Sequence, residues 1–325
     1  MRKLLGGTIH VSKVGVVLAA VAALSLLLSA CNLTGGPIIQ PQPSAQPGCT
    51  LAVNPGSGST STNLALTNGI AMPNPWNIGS SEGWIQQCYN NGSFSTAMSL
   101  ADVSYKGLGP GGYAEMAYGY SGWDSSFCIT SGCAVQPFPL TVSSFANDGY
   151  WANVNYTLGV PSPSDLPYDF TYDLWLEQNP SSAGPQAGDF EVMIEPYNTG
   201  LHPVQVPLSS SQQFSETIKV NGNNTPSTWT AYKAYGGTSA PTIVFLLNSP
   251  AQQSSTSISL KIQDFLAEAG VIAGENISGY TLMGAELGTE YGRNPLGPSD
   301  ITWSWQVNSY TLSSPTSTIH IIGNS

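Results

Sequence analysis

The segment YDFTYDLWLEQNPSSAGPQAGDFEVMIEPY, running from Tyr168 to Tyr197, decides the fold. Aromatic and branched residues alternate with others on either side of NPSSAGPQAG, a Gly/Pro/Ser-rich connection, so the stretch reads as two strands joined by a loop. Successive side chains of a strand point to opposite faces. Asp173 and Trp175 therefore share one face, and Asp189, Glu191, Met193 and Glu195 share one face of the next strand. If the two strands pair, an acidic row faces the same way as an aromatic one. Carboxylates set inside apolar strands lose solvation, and such positions are more often functional than decorative.

Outward from this hairpin the same grammar repeats. Strand-like runs lie at 63–71, 96–105, 114–118, 139–144, 151–159, 167–176, 189–195, 213–220, 228–235, 241–247, 256–260, 279–290 and 302–312. A continuous series of this kind points to an all-β domain of two stacked sheets. One helix is expected over 261–270, KIQDFLAEAG, where Ile262, Phe265, Leu266 and Ala269 fall on one face and Gly270 closes the end. It should pack on the outer sheet.

Composition narrows the partners. The 325 residues are 41% hydrophobic but only 8% charged, and 8 Lys+Arg against 19 Asp+Glu give a net charge of -11. That balance leaves nucleic acid or an anionic membrane surface nothing to grip, whereas a neutral glycan fits. So few ionisable groups also mean little charge repulsion in acid, which predicts an acidic working environment.

The N-terminus carries Arg2, Lys3 and Lys13, then an apolar run from Val14 to Leu28, and reads as an export signal over 1–31. Leu28-Ser29-Ala30-Cys31 is similar to a bacterial lipobox, which makes Cys31 a lipidation candidate; the alternatives are a plain signal peptide or a retained anchor. The protein is thus expected outside the cell, secreted or anchored to its surface, and touching the membrane only through this segment. Residues 32–48, rich in Pro, Gln and Gly, read as a tether, and 49–325 as one domain, taken to be a monomer. Outside the cell the remaining Cys49, Cys88, Cys128 and Cys133 suit two disulfides, expected as Cys49 with Cys88 and Cys128 with Cys133.

The chemistry has to come from carboxylates. His10, His202 and His320 are too scattered for a metal site or a Ser-His-Asp constellation, phosphate loops are absent, and no cofactor is expected. Glycosidic hydrolysis needs one carboxylic acid to protonate the leaving oxygen and one carboxylate to attack the anomeric carbon or activate water. Glu191 is the first candidate. Glu290, in Gly288-Thr289-Glu290 at the end of another strand, is the second; the plain reading of either is a solubility charge on an edge strand.

Tyr172-Asp173-Leu174-Trp175, then Gly188-Asp189-Phe190-Glu191-Val192-Met193-Ile194, and Gly288-Thr289-Glu290 together resemble glycoside hydrolase family 12, the small endoglucanases and xyloglucanases. The resemblance implies a β-jelly-roll sandwich of two antiparallel sheets with a concave substrate cleft and one packed helix. It implies Glu191 as nucleophile, Glu290 as general acid/base and Asp173 as the neighbour that tunes the nucleophile. Retaining hydrolysis of β-1,4-glucan is the expected reaction, one that asks for carboxyl groups about 5–5.5 Å apart; the alternatives are a xyloglucan- or mixed-linkage-glucan hydrolase on the same fold and a non-catalytic carbohydrate-binding surface protein. Weaker matches put Asn74 and Trp76, in Asn74-Pro75-Trp76, at an aromatic subsite, run a cleft-lining strand through 110–120, and include Trp229 and Tyr232. Tyr113, Trp123, Trp175 and Met193 join the substrate-binding candidates, and the Cys49/Cys88 pair resembles a disulfide of fungal members. The sequence departs from the family pattern twice. Glu195 stands where the family usually carries Trp, and Tyr291 where it usually carries Pro. Alternation puts Glu195 on the face of Glu191, where it would enter the cleft; the plainer reading leaves it at the strand end, in solvent.

Overall fold

The computed structural model describes residues 39–44, 46–56, 63–120, 137–180, 184–201, 212–235, 240–294 and 297–323. The signal segment with Cys31, most of the tether, Trp123, Cys128 and Cys133 lie outside the described residues. In chain order the elements are β1 (Cys49–Val53), β2 (Leu64–Ala65), β3 (Ile70–Met72), β4 (Ile78–Asn90), β5 (Ser93–Tyr105), β6 (Gly112–Gly119), β7 (Leu140–Thr141), α1 (Val142–Asp148) and β8 (Trp151–Leu158). Then come β9 (Asp169–Glu177), β10 (Phe190–Asn198), β11 (Gln212–Val220), β12 (Asn223–Tyr235), β13 (Pro241–Ser249), β14 (Ser255–Lys261) and α2 (Ile262–Ala273). Last are β15 (Thr281–Leu282), β16 (Gly284–Tyr291), β17 (Ile301–Ser313) and β18 (Thr318–Ile322).

Pairing runs β1-β4-β5-β17-β8-β14 through the outer layer. The concave layer runs β2-β3-β6-β16-β9-β10-β13-β12-β11. Lys219 and Val220 of β11 pair with Ser259 and Ile258 of β14, which joins the two layers along one edge. The result is the jelly-roll sandwich expected from the sequence, antiparallel but for β10, which runs parallel to β13. Aromatic side chains of opposite layers fill the space between. Tyr156 packs on Phe170 at 4.3 Å between ring centroids, and Tyr310 on Tyr172 at 6.0 Å. Such pairs contribute about 0.5–1.5 kcal/mol each beyond the area they bury.

A disulfide joins Cys49 to Cys88, which face each other across the β1–β4 pairing. The expected helix forms as α2 but runs past Gly270, the expected stop, and ends at Gly274, whose φ of 73° is the left-handed conformation that lets the last carbonyls, those of Gly270 and Val271, bond back. Its place differs from expectation. Phe265 stands edge-on to Trp229, Phe214 and Phe245, which lie on the inward side of the β11–β13 arm, so the helix plugs the core side of the concave layer. The run 139–144 holds only the short β7 before turning into a second helix, α1. There Thr141 Oγ1 accepts the N–H of Ser144 at 3.2 Å, and Gly149 ends the helix in the left-handed region. Strands β1, β4 and β18 lie outside the expected runs. In β4 the register shifts twice between Ile78 and Glu82, which breaks the alternation that marks a strand in sequence.

Candidate active site

All nine residues of β9 are buried because both of its faces are covered. Phe170, Tyr172, Leu174 and Leu176 point into the core. Asp169, Thr171, Asp173, Trp175 and Glu177 alternate with them and look onto the concave face. β9 lies between β10 and β16, with Met193 opposite Asp173 on one side and Glu286 opposite Asp173 on the other. Parity then brings Glu191 and Glu195 of β10, and Glu286 and Glu290 of β16, onto the same face. β6 adds Tyr113, opposite Glu290, and Glu115, opposite Gly288. Gly288 has no substitute there: a Cβ would lie 2.3 Å from the Ala114 carbonyl oxygen and 2.8 Å from Glu115 Cα.

Eight carboxylates lie on this face: Glu177 at the end of β9, and a cluster of seven around its middle. Glu115, Asp169, Asp173, Glu195 and Glu286 are buried, while Glu191 and Glu290 are half-buried and reach the open cleft. Burial pushes every one of the seven above the ordinary carboxylate range, because a charge loses its water there. Six of them form three carboxyl–carboxylate pairs, and hydrogen bonding orders the two partners of each. Desolvation raises Glu191, but hydrogen bonds from Thr242 and Asp173 pull it back, so Asp173 holds the proton of that pair. Around Glu290 the order is reversed. Desolvation, the charges of Asp169 and Glu191, and the hydrogen bond to Asp169 all raise Glu290, whereas that bond lowers Asp169. In the third pair Glu115 is raised by its bond to Glu286, which titrates at about 7, while Asn74 Nδ2 donates to Glu115 Oε1 at 2.7 Å. Glu195 is pushed up to about 8 by burial, offset in part by Asn198 Nδ2 donating to its Oε2 at 2.6 Å. Despite this crowding, no group of three or more His, Cys, Asp or Glu among the described residues could hold a metal ion.

The structure therefore brings Glu191, Glu290 and Asp173 onto one face, with Asn74 bonded beneath them to Glu115. Trp76, two residues after Asn74, is 47% exposed and has its ring near Gly109. Tyr113 is buried, and its hydroxyl donates to the Thr171 carbonyl. Met193 packs with Tyr232, Ala234 and Val244, and Trp175 with Ala240 and Met283. Asp189, expected beside Glu191, precedes β10 and instead ties the hairpin loop, accepting the N–H groups of Gln178 at 2.8 Å and Gln186 at 2.6 Å. Glu195 is not in solvent: it is 1% exposed, because Asn198 and the bulge after Ile194 close over it. Tyr291 lies in the core, as does Trp229. Sequence reasoning missed Glu115, Asp169 and Glu286. Asp169 and Glu286 each stand four residues before a chosen carboxylate, Asp173 and Glu290, on the same face of the same strand.

The sequence profile of glycosyl hydrolase family 12 matches residues 71–314. A family 12 xyloglucanase from Bacillus licheniformis in complex with ligand has a similar structure, with a TM-score of 0.56 and 18% identity over 82% of this chain and 98% of its own. Endoglucanase 3 of Trichoderma harzianum gives 0.54 and 19% identity over 83% of this chain and 100% of its own. A structure from a comparison of family 12 glycoside hydrolases gives 0.54 and 21%, over 78% and 96%. At these identities the structural likeness speaks for the fold. No curated protein matches the sequence.

Proposed function

Since the chain belongs to glycosyl hydrolase family 12, a family of glycosidases, we propose that it is an endo-β-1,4-glucanase cutting internal bonds of cellulose-like glucans with retention of configuration. One observation carries the reading. Of the seven carboxylates clustered on the cleft floor, the two that reach the open cleft are Glu191 and Glu290, and their hydrogen bonds pull in opposite senses. The first is helped to ionise and the second to keep its proton, which are the states a nucleophile and a general acid need.

Glu191 attacks the anomeric carbon. The bond to the leaving glucan breaks, its electron pair goes to the oxygen, and that oxygen takes the proton of Glu290. In the second half Glu290 takes a proton from water, the water oxygen attacks the anomeric carbon, and Glu191 is released. Asp173, protonated beside Glu191, steadies the charge of the nucleophile. Both working groups sit above the ordinary carboxylate range, so activity rises as Glu191 ionises and falls again as Glu290 loses its proton, a window displaced upward from that of free carboxyls. A glucan polymer is too large to enter a cell, which suits an enzyme acting outside one.

Glu290→Gln is expected to lower turnover on soluble cellulose derivatives by about 10²–10⁴-fold. Glu191→Gln abolishes nearly all of it, and both variants still bind glucan. Wild-type turnover in either variant sinks the assignment of these two residues, and a wild type that binds glucan without turning it over leaves a glucan-binding protein. A second polymer is favoured by one feature: where family members usually carry Trp this chain has Glu195, buried beneath Asn198, so no indole is offered to a sugar ring there. The Bacillus licheniformis relative is a xyloglucanase. Reducing-end release from cellulose derivatives, xyloglucan and mixed-linkage glucan separates these substrates.

A further inference from the structure

We propose that Asp169 is the positioning residue of the general acid, holding Glu290 by its main chain and by its side chain at once. The inference rests on the assignment of Glu290 made above. Asp169 opens β9 and is 1% exposed. The β9–β16 pairing runs through Glu286↔Asp173, Leu287↔Tyr172 and Gly288↔Thr171, and resumes as a single bridge, Tyr168↔Tyr291. Glu290 lies in the gap between. Its backbone N–H turns to a side chain, donating to Asp169 Oδ1 at 3.0 Å. A buried N–H left without a partner would be costly, so this bond fixes where the Cα of Glu290 stands.

The Glu290 carboxyl then meets the same carboxylate, and the two share a hydrogen bond. Several other ionisable groups face the pair. Asp173 is on β9, Glu191 and Glu195 on β10, Glu286 on β16, Tyr113 and Glu115 on β6, and Tyr232 on β12. The charges acting most strongly on Asp169 and Glu290 are carboxylates, Glu191 on both and Glu195 on Asp169. Two carboxyls so placed cannot both ionise cheaply, so they hold one proton between them. Before substrate binds, the Glu290 proton rests against Asp169. As the glycosidic bond breaks, the proton passes from Glu290 to the departing oxygen. The carboxylate left on Glu290 stays anchored through its N–H to accept a proton from water. β9 thus supplies each working glutamate with its own aspartate, Asp173 for Glu191 and Asp169 for Glu290.

Asp169→Asn tests this. The amide oxygen can still accept the Glu290 N–H, while the amide nitrogen puts a donor where the second carboxylate oxygen was. On glucan, kcat should fall about tenfold or more, with KM within about twofold of wild type. On a cellobioside whose leaving group is 2,4-dinitrophenolate, which departs without a proton, the loss should stay under about threefold. In a carboxyl ¹³C NMR titration of the full chain, Glu290 should ionise at lower pH than in the wild type. A structural role alone would reduce both substrates equally and leave the titration of Glu290 in place. Equal losses on the two substrates, or an unmoved or higher Glu290 titration in a variant that melts as the wild type does, overturn the proposal. If Asp169→Asn does not fold, the wild-type titration decides: Glu290 must keep its proton to higher pH than Asp169, and the opposite order overturns the proposal. A wild-type chain inactive on every glucan and aryl cellobioside overturns this inference together with the function on which it rests.

Discussion

Removing the charge of Glu195 should change how stability depends on pH, and in a stated direction. In the folded chain this carboxyl titrates at about 8 against an ordinary 4.5. The folded state therefore holds a proton that the unfolded chain releases from about pH 4.5 upward. A raised value of this kind contributes stability that is fully present below the unfolded value and disappears as pH climbs toward the folded one. By pH 7 the loss is about 2.5 units at 1.36 kcal/mol each, or about 3 kcal/mol. At 1% exposure solvent screens little of it. Glu195→Gln keeps an oxygen to accept from Asn198 Nδ2 and cannot ionise. Thermal melts at pH 4 and pH 7 are the assay. Wild type and variant should melt together at pH 4, and at pH 7 the variant should melt roughly 6–12 °C higher. Equal melting at both pH values, or a variant offset downward by the same amount at each, would refute the reasoning. Glu286, at about 7, and the other floor carboxylates add to the same slope, so the wild type should be most stable in acid.

Three other perturbations probe different parts of the site and its frame. Asp173→Ala removes the donor that pulls Glu191 down, so the acid limb of kcat/KM should move to higher pH; an unmoved limb denies Asp173 that role. Gly288→Ala sets a methyl against the Ala114 carbonyl and should cost about 1–3 kcal/mol or more, read as a lower denaturant midpoint; a wild-type midpoint contradicts the close approach of β16 and β6. Reducing the Cys49–Cys88 bridge, with a sequence separation of 39, should lower stability by up to about 4 kcal/mol, measured by melting with and without reductant. No change on reduction would mean that β1 is held by its pairing alone.

The hairpin from Tyr168 to Tyr197 could be read directly because strand parity is a local property: once β9 and β10 are extended, the facing of Asp173 and Glu191 follows. Glu290 is singled out by its Gly288-Thr289-Glu290 motif at the end of a strand-like run, and it lies near the end of β16. What local pattern does not carry is which strands become neighbours. The pairing of β16 with β6 and β9 brings Glu286 beside Glu115, and no run of either strand announces it. Glu195 looked like an end-of-strand charge, yet the bulge and Asn198 close over it. The start of α1 was hidden because Thr141 and Val142 are β-branched, and the cap that decides the issue is a single Thr141–Ser144 bond. Helix α2 was visible as an amphipathic stripe, but its partners were not, since Trp229, Phe214 and Phe245 come from three other strands.

The central claim is that Glu191 and Glu290 flank one glycosidic linkage, with Glu191 forming the covalent bond. Incubation with a 2-deoxy-2-fluoro-β-cellobioside bearing a good leaving group, followed by peptide mass spectrometry, tests it most directly, because the fluorine slows release more than attachment and traps the intermediate. The account predicts stoichiometric, time-dependent inactivation with the sugar attached to Glu191. Label on another carboxylate, or turnover that never passes through a covalent adduct, would contradict it.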